Sequence, residues 1–346
     1  MFGIVLAGGE GTRLRPITLS RPKPLVPIAG RACIDYVISS LVHGGVKDII
    51  VTTGYLSEQL IRSVGTGSRL GAAILYSFEE EPLGTAGAVK KVAGFLDQPF
   101  IVASGDVLAD VDVGQLVAFH RKKGAKATMA LTRVERPTEF GIVGLDKDDR
   151  VVRFAEKPAQ KDVFSNLVNA GIYVLEPEVL QLIPAGQKFD FSKQVFPAML
   201  ERDLPIYGHE LTGMWMDIGR PSDLLAANFR ALEKAQAGAD PRSFIQSPSE
   251  GTKVTGTCYV GPGVILAHCA IVSSLVYDHA AIGHGAHVDR SLVLGRARIG
   301  AGAHVEGSVI GENALVHDGA RVIDCVIGDG QEIHGHVQGQ RIPAVD

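Results

Sequence analysis

The sequence predicts an α/β domain with a mixed, mostly parallel sheet and helices on both faces, followed by a solenoid of short strands. In the N-terminal half, strand-like apolar runs alternate with helix-like stretches, which is the pattern of βαβ units. From Val254 onward, branched residues recur every seventeen positions, which is typical of a repeat architecture. The length of 346 residues suits two domains, and we expect the first over 1–236, a linker over 237–252 and the second over 253–346.

Composition narrows the class of partner. The formal net charge of −4 argues against a nucleic-acid-binding protein and favours a small-molecule partner. The N-terminus MFGIVLAGG lacks the features of a secretory signal. Residues 254–277 carry no Asp, Glu, Lys or Arg, but their glycines, proline and small polar residues argue against a membrane helix. No CxxC pair or zinc spacing occurs, so we expect reduced thiols in a cytoplasmic protein at Cys33, Cys258, Cys269 and Cys325.

The first strand-like run, FGIV, leads into the glycine-rich stretch LAGGEGTRLRP. Glycines after a strand allow the backbone to approach phosphate closely. Leu14 stands where the dinucleotide fingerprint needs a third glycine, and the Gly-Lys-Ser/Thr of a Walker loop is absent. The cations Arg13, Arg15 and Lys23 lie within a span of eleven residues. They outline a polyanion site, although a solvated surface loop has the same composition.

Strand-like and helix-like segments then alternate. The pairs are KDIIVTTGY with SEQLIRSVG, GAAILYSF with TAGAVKKVAGFL, and PFIVASGD with VGQLVAFHRKKG. Ligands of such sheets bind at the carboxyl ends of the strands, so we expect the glycine-rich loop at that edge. Asp106 follows a strand at the same edge, where a helix-capping role is the alternative to metal binding. Magnesium on phosphates usually takes one or two protein carboxylates, and Asp217 in GMWMDIGRP is the candidate for the second.

The C-terminal repeat keeps its phase over five rows. The aligned columns are Val254, Ile271, Val288, Val305, Val322; Ile265, Ile282, Ile299, Val316, Ile333; and Tyr259, Val276, Val293, Ile310, Ile327. Spacings of five and six are too regular for a helix, so we expect three-sided coils with these side chains inward. The spacing resembles the hexapeptide repeat of left-handed parallel β-helices.

Eight of the eleven histidines lie in this region, at positions 268, 279, 284, 287, 304, 317, 334 and 336. A metal site or an acetyl-transfer role is therefore an alternative to consider. Because they fall in varying columns of the repeat, we interpret them as surface or corner residues.

Motifs spread over residues 1 to about 235 occur together in one known family. They are LAGGEGTRLRPITLSRPKPLVPIAG, EEEPLGTAGAV, GDV, FGIVG, EKP, NAGIYVL and WMDIGRP. In order and approximate spacing, this half of the chain resembles the sugar-1-phosphate nucleotidyltransferases. The resemblance implies condensation of a nucleoside triphosphate with a sugar 1-phosphate, with Mg²⁺ as cofactor and pyrophosphate as the second product. EEEPLGTAG together with a trailing β-helix favours GTP and mannose 1-phosphate.

The resemblance also implies roles for particular residues. Arg13 would grip the triphosphate, Lys23 would neutralise charge near the α-phosphate, and Lys157 would hold the sugar phosphate. Magnesium would be bound by Asp106 and Asp217. The implied nucleotide contacts are Leu6, Ala7, Gly8, Gly9, Gly11, Thr12, Gly84 and Thr85, and the implied sugar contacts are Gly141, Glu156 and Asn169.

Several alternatives stay open at this point. The substrate pair could be dTTP or UTP with glucose 1-phosphate, or GTP with a heptose 1-phosphate. A non-catalytic regulatory subunit of the same fold would be expected to lose the catalytic loop residues, which are retained here. An acyltransferase site on the β-helix would need protruding loops, for which five unbroken coils and a short tail leave little room. We therefore expect the β-helix to serve regulation or homo-oligomer formation.

Overall fold

A computed structural model of the chain describes residues 1–237, 244–245 and 251–343, and it contains both predicted architectures. Contacts divide the chain into two compact units. One holds Met1–Gly9 with Cys33–Met216, and the other holds Glu10–Ala32 with Asp217–Asp346. Most of the glycine-rich segment thus groups with the β-helix, as does the segment from Asp217. The domain limits at 236 and 253 stay a prediction.

The strands of the N-terminal part alternate with helices, as the sequence predicts. The strands are β1 (Phe2–Leu6), β2 (Pro27–Ile28), β3 (Arg31–Ala32), β4 (Asp48–Thr53), β5 (Ala73–Phe78), β6 (Phe100–Ser104), β7 (Val107–Val111), β8 (Ala127–Arg133), β9 (Gly141–Leu145), β10 (Val151–Glu156), β11 (Leu167–Leu175), β12 (Ile206–Glu210) and β13 (Gly213–Asp217). The helices are α1 (Cys33–His43), α2 (Ser57–Val64), α3 (Gly84–Lys91), α4 (Val113–Lys123), α5 (Phe196–Glu201) and α6 (Pro221–Gln236).

The main sheet has nine strands, and its central path runs β10-β9-β11-β6-β1-β4-β5, with β8 and β12 joined through β11. β1 pairs in parallel with β4 on one side and β6 on the other, so Ile4 lies opposite both Ile50 and Val102. The carboxyl ends of these three strands therefore meet at one edge. β11 runs antiparallel to β6, which makes the sheet mixed. The fold class predicted for this part of the chain is confirmed.

The core of the first unit is apolar and includes an aromatic cluster. Ile4, Phe100 and Val102 are fully buried within the sheet. Tyr173 and Phe196 pack edge to face, with ring centroids 4.9 Å apart. Burial of such rings contributes on the order of 2 kcal/mol each, and it fixes β11 against α5.

The C-terminal part is a parallel β-helix of three stacked sheets. Its strands are β14 (Lys253–Thr255), β15 (Tyr259–Val260), β16 (Ile265–Leu266), β17 (Ala270–Val272), β18 (Leu275–Val276), β19 (Ala281–Ile282), β20 (His287–Asp289), β21 (Leu292–Val293), β22 (Arg298–Ile299), β23 (His304–Glu306), β24 (Val309–Ile310), β25 (Leu315–Val316), β26 (Arg321–Ile323), β27 (Val326–Ile327), β28 (Glu332–Ile333), β29 (His336–Gln338) and β30 (Arg341–Ile342). The predicted β-helix is confirmed, and residues 254–277 belong to its first strands.

The predicted columns are correct apart from two positions in the first coil. Val260, not Tyr259, pairs with Val276, and Leu266, not Ile265, pairs with Ile282. Ile265 is 65% exposed, whereas Leu266 is 5% exposed. The first coil carries one extra residue between Val254 and the inward residue of its second strand. The fixed period therefore places Tyr259 and Ile265 inside instead of Val260 and Leu266.

The repeat also extends beyond five coils. On two of the three faces a sixth strand is added, so that Val337 lies opposite Val322 and Ile342 opposite Ile327. These steps are fifteen residues long rather than seventeen, which hides them from a search at the fixed period. Part of the expected tail therefore belongs to a sixth coil of the β-helix.

A buried ladder of serine side chains joins successive coils at one corner. The Ser274 hydroxyl accepts a hydrogen bond from the Ser291 amide at 3.0 Å, and the Ser291 hydroxyl accepts one from the Ser308 amide at 3.1 Å. Because each hydroxyl satisfies an amide of the next coil, the corner can be buried without unpaired polar groups.

Several histidines stack between neighbouring coils instead of lying in unrelated columns. The His287 and His304 rings are 5.1 Å apart and nearly parallel, and they occupy paired positions of β20 and β23. The His317 and His334 rings are 3.6 Å apart, and Glu332 contacts His317 at 3.1 Å. Their interpretation as surface or corner residues stays a prediction.

None of the helices within the described part of the chain combines the length and hydropathy needed to cross a bilayer.

Candidate active site

The edge of the main sheet fixes the residues that follow β1. The Ala7 amide donates to the Thr52 carbonyl at 3.0 Å, and the Gly105 amide donates to the Leu6 carbonyl at 2.8 Å. These bonds hold the end of β1 between the ends of β4 and β6. Asp106 follows Gly105 and is half-buried. Leu6, Ala7 and Asp106 thus lie at the edge where the sequence places the ligand.

Gly8 lies close to the side chain of Glu79. A Cβ atom on Gly8 would lie 3.2 Å from Glu79 Oε1, closer than an ordinary contact. Glu79 Oε2 accepts a hydrogen bond from the Leu83 amide at 3.0 Å. A Cβ atom on Gly9, by contrast, would meet no described atom within 4 Å beyond its chain neighbours. Sequence reasoning missed Glu79, whose signal is its place just after β5 in EEEPLGTAG.

The two predicted residues of PLGTAG form the start of α3. Gly84 has a φ of +70°, and a Cβ atom there would lie 2.7 Å from the Phe189 carbonyl oxygen. The amide and hydroxyl of Thr85 contact Asp190 Oδ1 at 3.1 and 3.3 Å. Asp190 thus accepts hydrogen bonds from Thr85 at the start of α3, and sequence reasoning did not identify it.

The three residues predicted to contact the sugar lie on neighbouring strands. Gly141 on β9 pairs with Glu156 on β10. A Cβ atom on Gly141 would lie 2.8 Å from Glu156 Oε2, so glycine makes room for the carboxyl group. On β11, Asn169 Oδ1 accepts from the Gly171 amide at 2.9 Å, and its Nδ2 donates to the Tyr173 hydroxyl at 2.8 Å. The structure therefore brings Gly141, Glu156 and Asn169 together.

Burial sets the protonation preference of Glu156. Desolvation raises the pKa of its carboxyl group, and the charges of Lys157 and Lys193 partly oppose that shift. Burial also raises the pKa of Tyr173, so its hydroxyl keeps its proton at neutral pH. The cluster is a partly desolvated set of polar groups, which suits recognition of hydroxyls.

A segment around Asp190 and Ser192 touches both clusters of the first unit. Asp190 contacts Thr85, as described, and Ser192 Oγ accepts from Asn169 Nδ2 at 3.3 Å. Neither residue carries a recognisable local motif, so sequence reasoning missed both. They connect the helix start at α3 with the strand that carries Asn169.

Lys157 lies at a sharp turn after β10. Its φ is +47°, and its amide donates to the Phe140 carbonyl at 3.0 Å. The Phe140 ring packs edge to face on Trp215 at 5.9 Å, and Trp215 Nε1 donates to the Ala170 carbonyl at 2.9 Å. Trp215 was also missed, although it is the one tryptophan of the sequence and the first residue of the WMDIGRP motif.

In the second unit, two predicted cations converge on one predicted carboxylate. Arg13 Nη2 lies 3.8 Å from Asp217 Oδ2, and Lys23 Nζ lies 3.8 Å from Asp217 Oδ1. Thr12 opens the short 3-10 turn that carries Arg13. The Lys23 side chain is only 7% exposed. Both distances exceed a direct hydrogen bond but lie within ion-pair range, so Asp217 is flanked by two cations.

Gly11 sets the path of the chain between these charges. Its φ is +64°, and a Cβ atom there would lie 2.8 Å from Lys23 Cβ. The Thr18 hydroxyl donates to the Gly11 carbonyl at 2.8 Å. The glycine thus permits both a left-handed turn and close packing of Lys23.

A separate cavity of about 770 Å³ lies between α6 and one corner of the β-helix. Its walls include Leu225, Phe229 and Val309, with Arg290 and Asp324 among the polar groups. None of the predicted site residues lines it, so we do not assign the substrates to this cavity.

Two family models match this chain. A family model described as "Nucleotidyl transferase" matches residues 2–234, and one described as "GlmU-like, C-terminal hexapeptide" matches residues 240–323.

Similar proteins include two mannose-1-phosphate guanylyltransferases. The Mycobacterium tuberculosis protein is 38% identical over 288 residues, covering 83% of this chain and 77% of its own. The catalytic subunit beta from Drosophila pseudoobscura pseudoobscura is 37% identical, covering 82% of this chain and 71% of its own. A UTP--glucose-1-phosphate uridylyltransferase from Synechocystis is 31% identical, covering 83% and 86%.

Among solved structures, one from Bacillus anthracis is described as a glucose-1-phosphate thymidylyltransferase in complex with sucrose. It is 26% identical with a TM-score of 0.61, and the match covers 67% of this chain and 95% of that one. The family model covers well over half of the sequence, and the chain therefore belongs to the nucleotidyl transferase family.

Proposed function

We propose that this protein transfers a guanylyl group from GTP to mannose 1-phosphate, giving GDP-mannose and pyrophosphate. The observation that carries the proposal is the convergence of Arg13 and Lys23 on Asp217 in a chain of the nucleotidyl transferase family. The named relatives support the substrate pair, since two of them are mannose-1-phosphate guanylyltransferases similar over most of this chain.

The reaction joins two anions that repel each other. A phosphate oxygen of the sugar 1-phosphate attacks the α-phosphorus of GTP, a new P–O bond forms, and the bond to the bridging oxygen of the departing pyrophosphate breaks. The nucleophile is already deprotonated at neutral pH, so no general base is required. The protein must chiefly position the groups and stabilise the developing charge.

The cations have roles that suit their surroundings. Lys23 is almost fully buried, and a buried cation interacts strongly with an anion because little water screens it. We assign Lys23 to the α-phosphate and the more exposed Arg13 to the β- and γ-phosphates and the leaving pyrophosphate. Lys157, at its exposed turn, would hold the phosphate of the sugar substrate.

Magnesium suits the carboxylates that the sequence singles out. Mg²⁺ prefers oxygen ligands and commonly binds through one or two carboxylates with substrate phosphates. Asp217 has a half-buried carboxylate beside Arg13 and Lys23, and Asp106 is half-buried at the sheet edge. We retain Asp106 and Asp217 as its ligands, where the bound ion would neutralise phosphate charge.

Glu79 is our candidate for reading the base. Guanine presents two neighbouring donors, N1–H and N2–H, which one carboxylate can accept together. Thymine and uracil present a single N–H between two carbonyl groups, which a carboxylate matches poorly. Glu79 Oε1 lies against Gly8, while its Oε2 is held by the Leu83 amide. This placement favours GTP over dTTP or UTP.

The cluster around Gly141, Glu156 and Asn169 would recognise sugar hydroxyls. The Asn169 amide is oriented by Tyr173 and Ser192 on one side and by Gly171 on the other. Fixed polar groups of this kind discriminate between epimers because a misplaced hydroxyl leaves a buried partner unpaired. Glucose 1-phosphate with UTP or dTTP is the alternative, and the names of the relatives from Synechocystis and Bacillus anthracis favour it.

We also propose a cytoplasmic location and a homo-oligomer formed through the β-helix. All four cysteines are buried and free of disulfide bonds, which suits a reducing compartment. Light scattering of the purified protein tests the oligomer, and a monomeric mass would contradict it.

Substitution of the assigned residues tests the mechanism. We expect Arg13→Ala and Asp106→Ala to fold normally and to lose most of the turnover, measured as pyrophosphate release with GTP, mannose 1-phosphate and magnesium. Arg62→Ala is the matched control, because Arg62 is 80% exposed and forms its ion pair with Glu58, one turn earlier on the same helix. Near-normal turnover of either variant would show that the assigned mechanism is wrong.

A further inference from the structure

The last coils of the β-helix form hydrogen bonds with the loop that carries Arg13 and Lys23. Within the second unit, Arg21 Nη2 donates to Glu312 Oε2 at 3.0 Å and to Asp329 Oδ2 at 2.5 Å. The Ser20 hydroxyl donates to the same Asp329 oxygen. We call residues 11–25 the cationic loop. Its middle is thus tied to the edge of the fourth and fifth coils.

The acceptor on the β-helix is itself held in place. Asp329 Oδ1 accepts the Glu312 amide at 2.7 Å, so its carboxylate is oriented by the neighbouring coil. The Arg21 side chain is 14% exposed and that of Asp329 is 17% exposed. Such a shielded, charge-assisted pair is stronger than an ordinary surface ion pair. Arg21 therefore has a rigid, partly desolvated anchor.

A second contact holds the start of the cationic loop. Arg341 Nη1 on β30 donates to the backbone carbonyls of Arg13 and Arg15, both at 3.1 Å. Leu14, between these two residues, is fully buried. A Cβ atom on Gly328 would lie 3.1 Å from Pro16 Cβ, so the loop and coil are closely packed. The backbone beside Arg13 is fixed by the final coil.

The anchor at Arg21 is joined to Lys23 by a stiff link. Pro22 stands between them with a φ of −67°, a torsion that the proline ring locks. Lys23 then opens a short 3-10 turn. A displacement of Arg21 therefore also displaces the Lys23 backbone, because Pro22 has little torsional freedom to compensate.

We propose that Arg21 and Arg341 are positioning residues for nucleotidyl transfer, through which the β-helix holds Lys23 and Arg13 in place. The inference rests on the proposed function of those two cations. It makes the final coils part of the catalytic apparatus in addition to any role in assembly.

Alanine variants of the two arginines test the inference in the full-length protein. We expect Arg21→Ala to lower kcat with GTP about 10- to 100-fold and Arg341→Ala about 3- to 10-fold, with the KM for mannose 1-phosphate nearly unchanged. Arg21→Lys should recover part of the loss. Arg290→Ala is the control, because Arg290 is an exposed residue of the β-helix that pairs with Asp289 and Glu306 of the same domain. We expect the control to retain wild-type kcat.

A double variant separates positioning from an independent effect. If Arg21 acts through Lys23, adding Arg21→Ala to Lys23→Ala should lower the residual rate by less than about 2-fold. Full multiplication of the two penalties would overturn the inference. So would Arg21→Ala and Arg341→Ala variants that turn over like Arg290→Ala.

Hydrogen exchange gives a readout that does not depend on activity. Amides of residues 11–25 should exchange faster in Arg21→Ala and Arg341→Ala than in wild type, and at the wild-type rate in Arg290→Ala. A wild type that is inactive with every substrate pair would overturn the proposed function alone. Unchanged exchange in the two variants would overturn the anchoring itself.

Discussion

Replacing Gly11 by alanine tests how tightly the cationic loop is packed. The residue has φ +64° and ψ +38°, and the added Cβ atom would lie 2.8 Å from Lys23 Cβ and 3.2 Å from Thr18 Cγ2. An ordinary carbon contact is about 3.5–4.0 Å, so Lys23 must move by roughly 1 Å. Because Lys23 is buried, the movement disturbs its packing.

The loss of stability expected for Gly11→Ala is the sum of two separate costs. Alanine in a left-handed conformation costs about 1–2 kcal/mol, and forced overpacking costs about 1–3 kcal/mol more. Gly124 isolates the first cost, since its φ of 57° and ψ of 37° match those of Gly11. No described atom lies within 4 Å of a Cβ atom on Gly124. Gly319→Ala, equally open at φ +66°, is a second control within the same unit as Gly11.

We expect Gly11→Ala to be less stable than Gly124→Ala by about 1–3 kcal/mol in the free energy of unfolding. Turnover of Gly11→Ala should fall about 100-fold because a catalytic cation is displaced by roughly 1 Å, whereas Gly124→Ala should remain active. Thermal unfolding and pyrophosphate release measure the two effects. Equal stability of the two variants, with full turnover of Gly11→Ala, would show that Gly11 is not closely packed against Lys23.

Three further variants test other parts of the account. Burial raises the pKa of Glu156. Its protonated carboxyl group therefore contributes stability that is fully present below the unfolded pKa of about 4.3 and is lost as the pH rises through the folded pKa. We expect the melting temperature of Glu156→Gln to rise relative to that of wild type as the pH increases above about 4, with exposed Glu201→Gln as the control. A pH-independent difference would contradict this. Tyr277→Phe removes a hydroxyl that donates to Asn228 at 2.7 Å and accepts from the Gly30 amide at 3.2 Å. We expect the free energy of unfolding in urea to fall by about 1–2 kcal/mol, and to fall less for Tyr76→Phe. Equal losses for the two variants would contradict a buried role for the Tyr277 hydroxyl. Glu79→Gln should lower kcat/KM for GTP about 10- to 100-fold and lower kcat/KM for UTP less. Exposed Glu80→Gln should change neither value. Equal losses for both nucleotides would exclude Glu79 as the residue that recognises the base.

The regular parts of this fold could be predicted because their signals are local. Alternating apolar runs mark β1, β4, β5 and β6, and the seventeen-residue period marks the β-helix. Tyr259 and Ile265 were placed wrongly because the first coil has one extra residue before its second face and one fewer before the next coil. β29 and β30 were missed because the last steps are fifteen residues long. A fixed period cannot follow a change in coil length.

The candidate site divides in the same way. Gly141, Glu156 and Asn169 come together because their strands are neighbours, and their motifs lie at the strand ends or within them. Asp190 reaches Thr85 across 105 residues of sequence, and Arg21 reaches Glu312 across 291. Contacts of that separation depend on the packed fold, and no local pattern in either segment encodes them.

Pyrophosphate release from the purified protein with magnesium measures both the transfer reaction and its substrate preference. GTP, dTTP, UTP, ATP and CTP would each be combined with mannose 1-phosphate and with glucose 1-phosphate. We expect the highest kcat/KM for GTP with mannose 1-phosphate. A preference for UTP or dTTP with glucose 1-phosphate would contradict the assigned substrates, and no release with any pair would contradict nucleotidyl transfer itself.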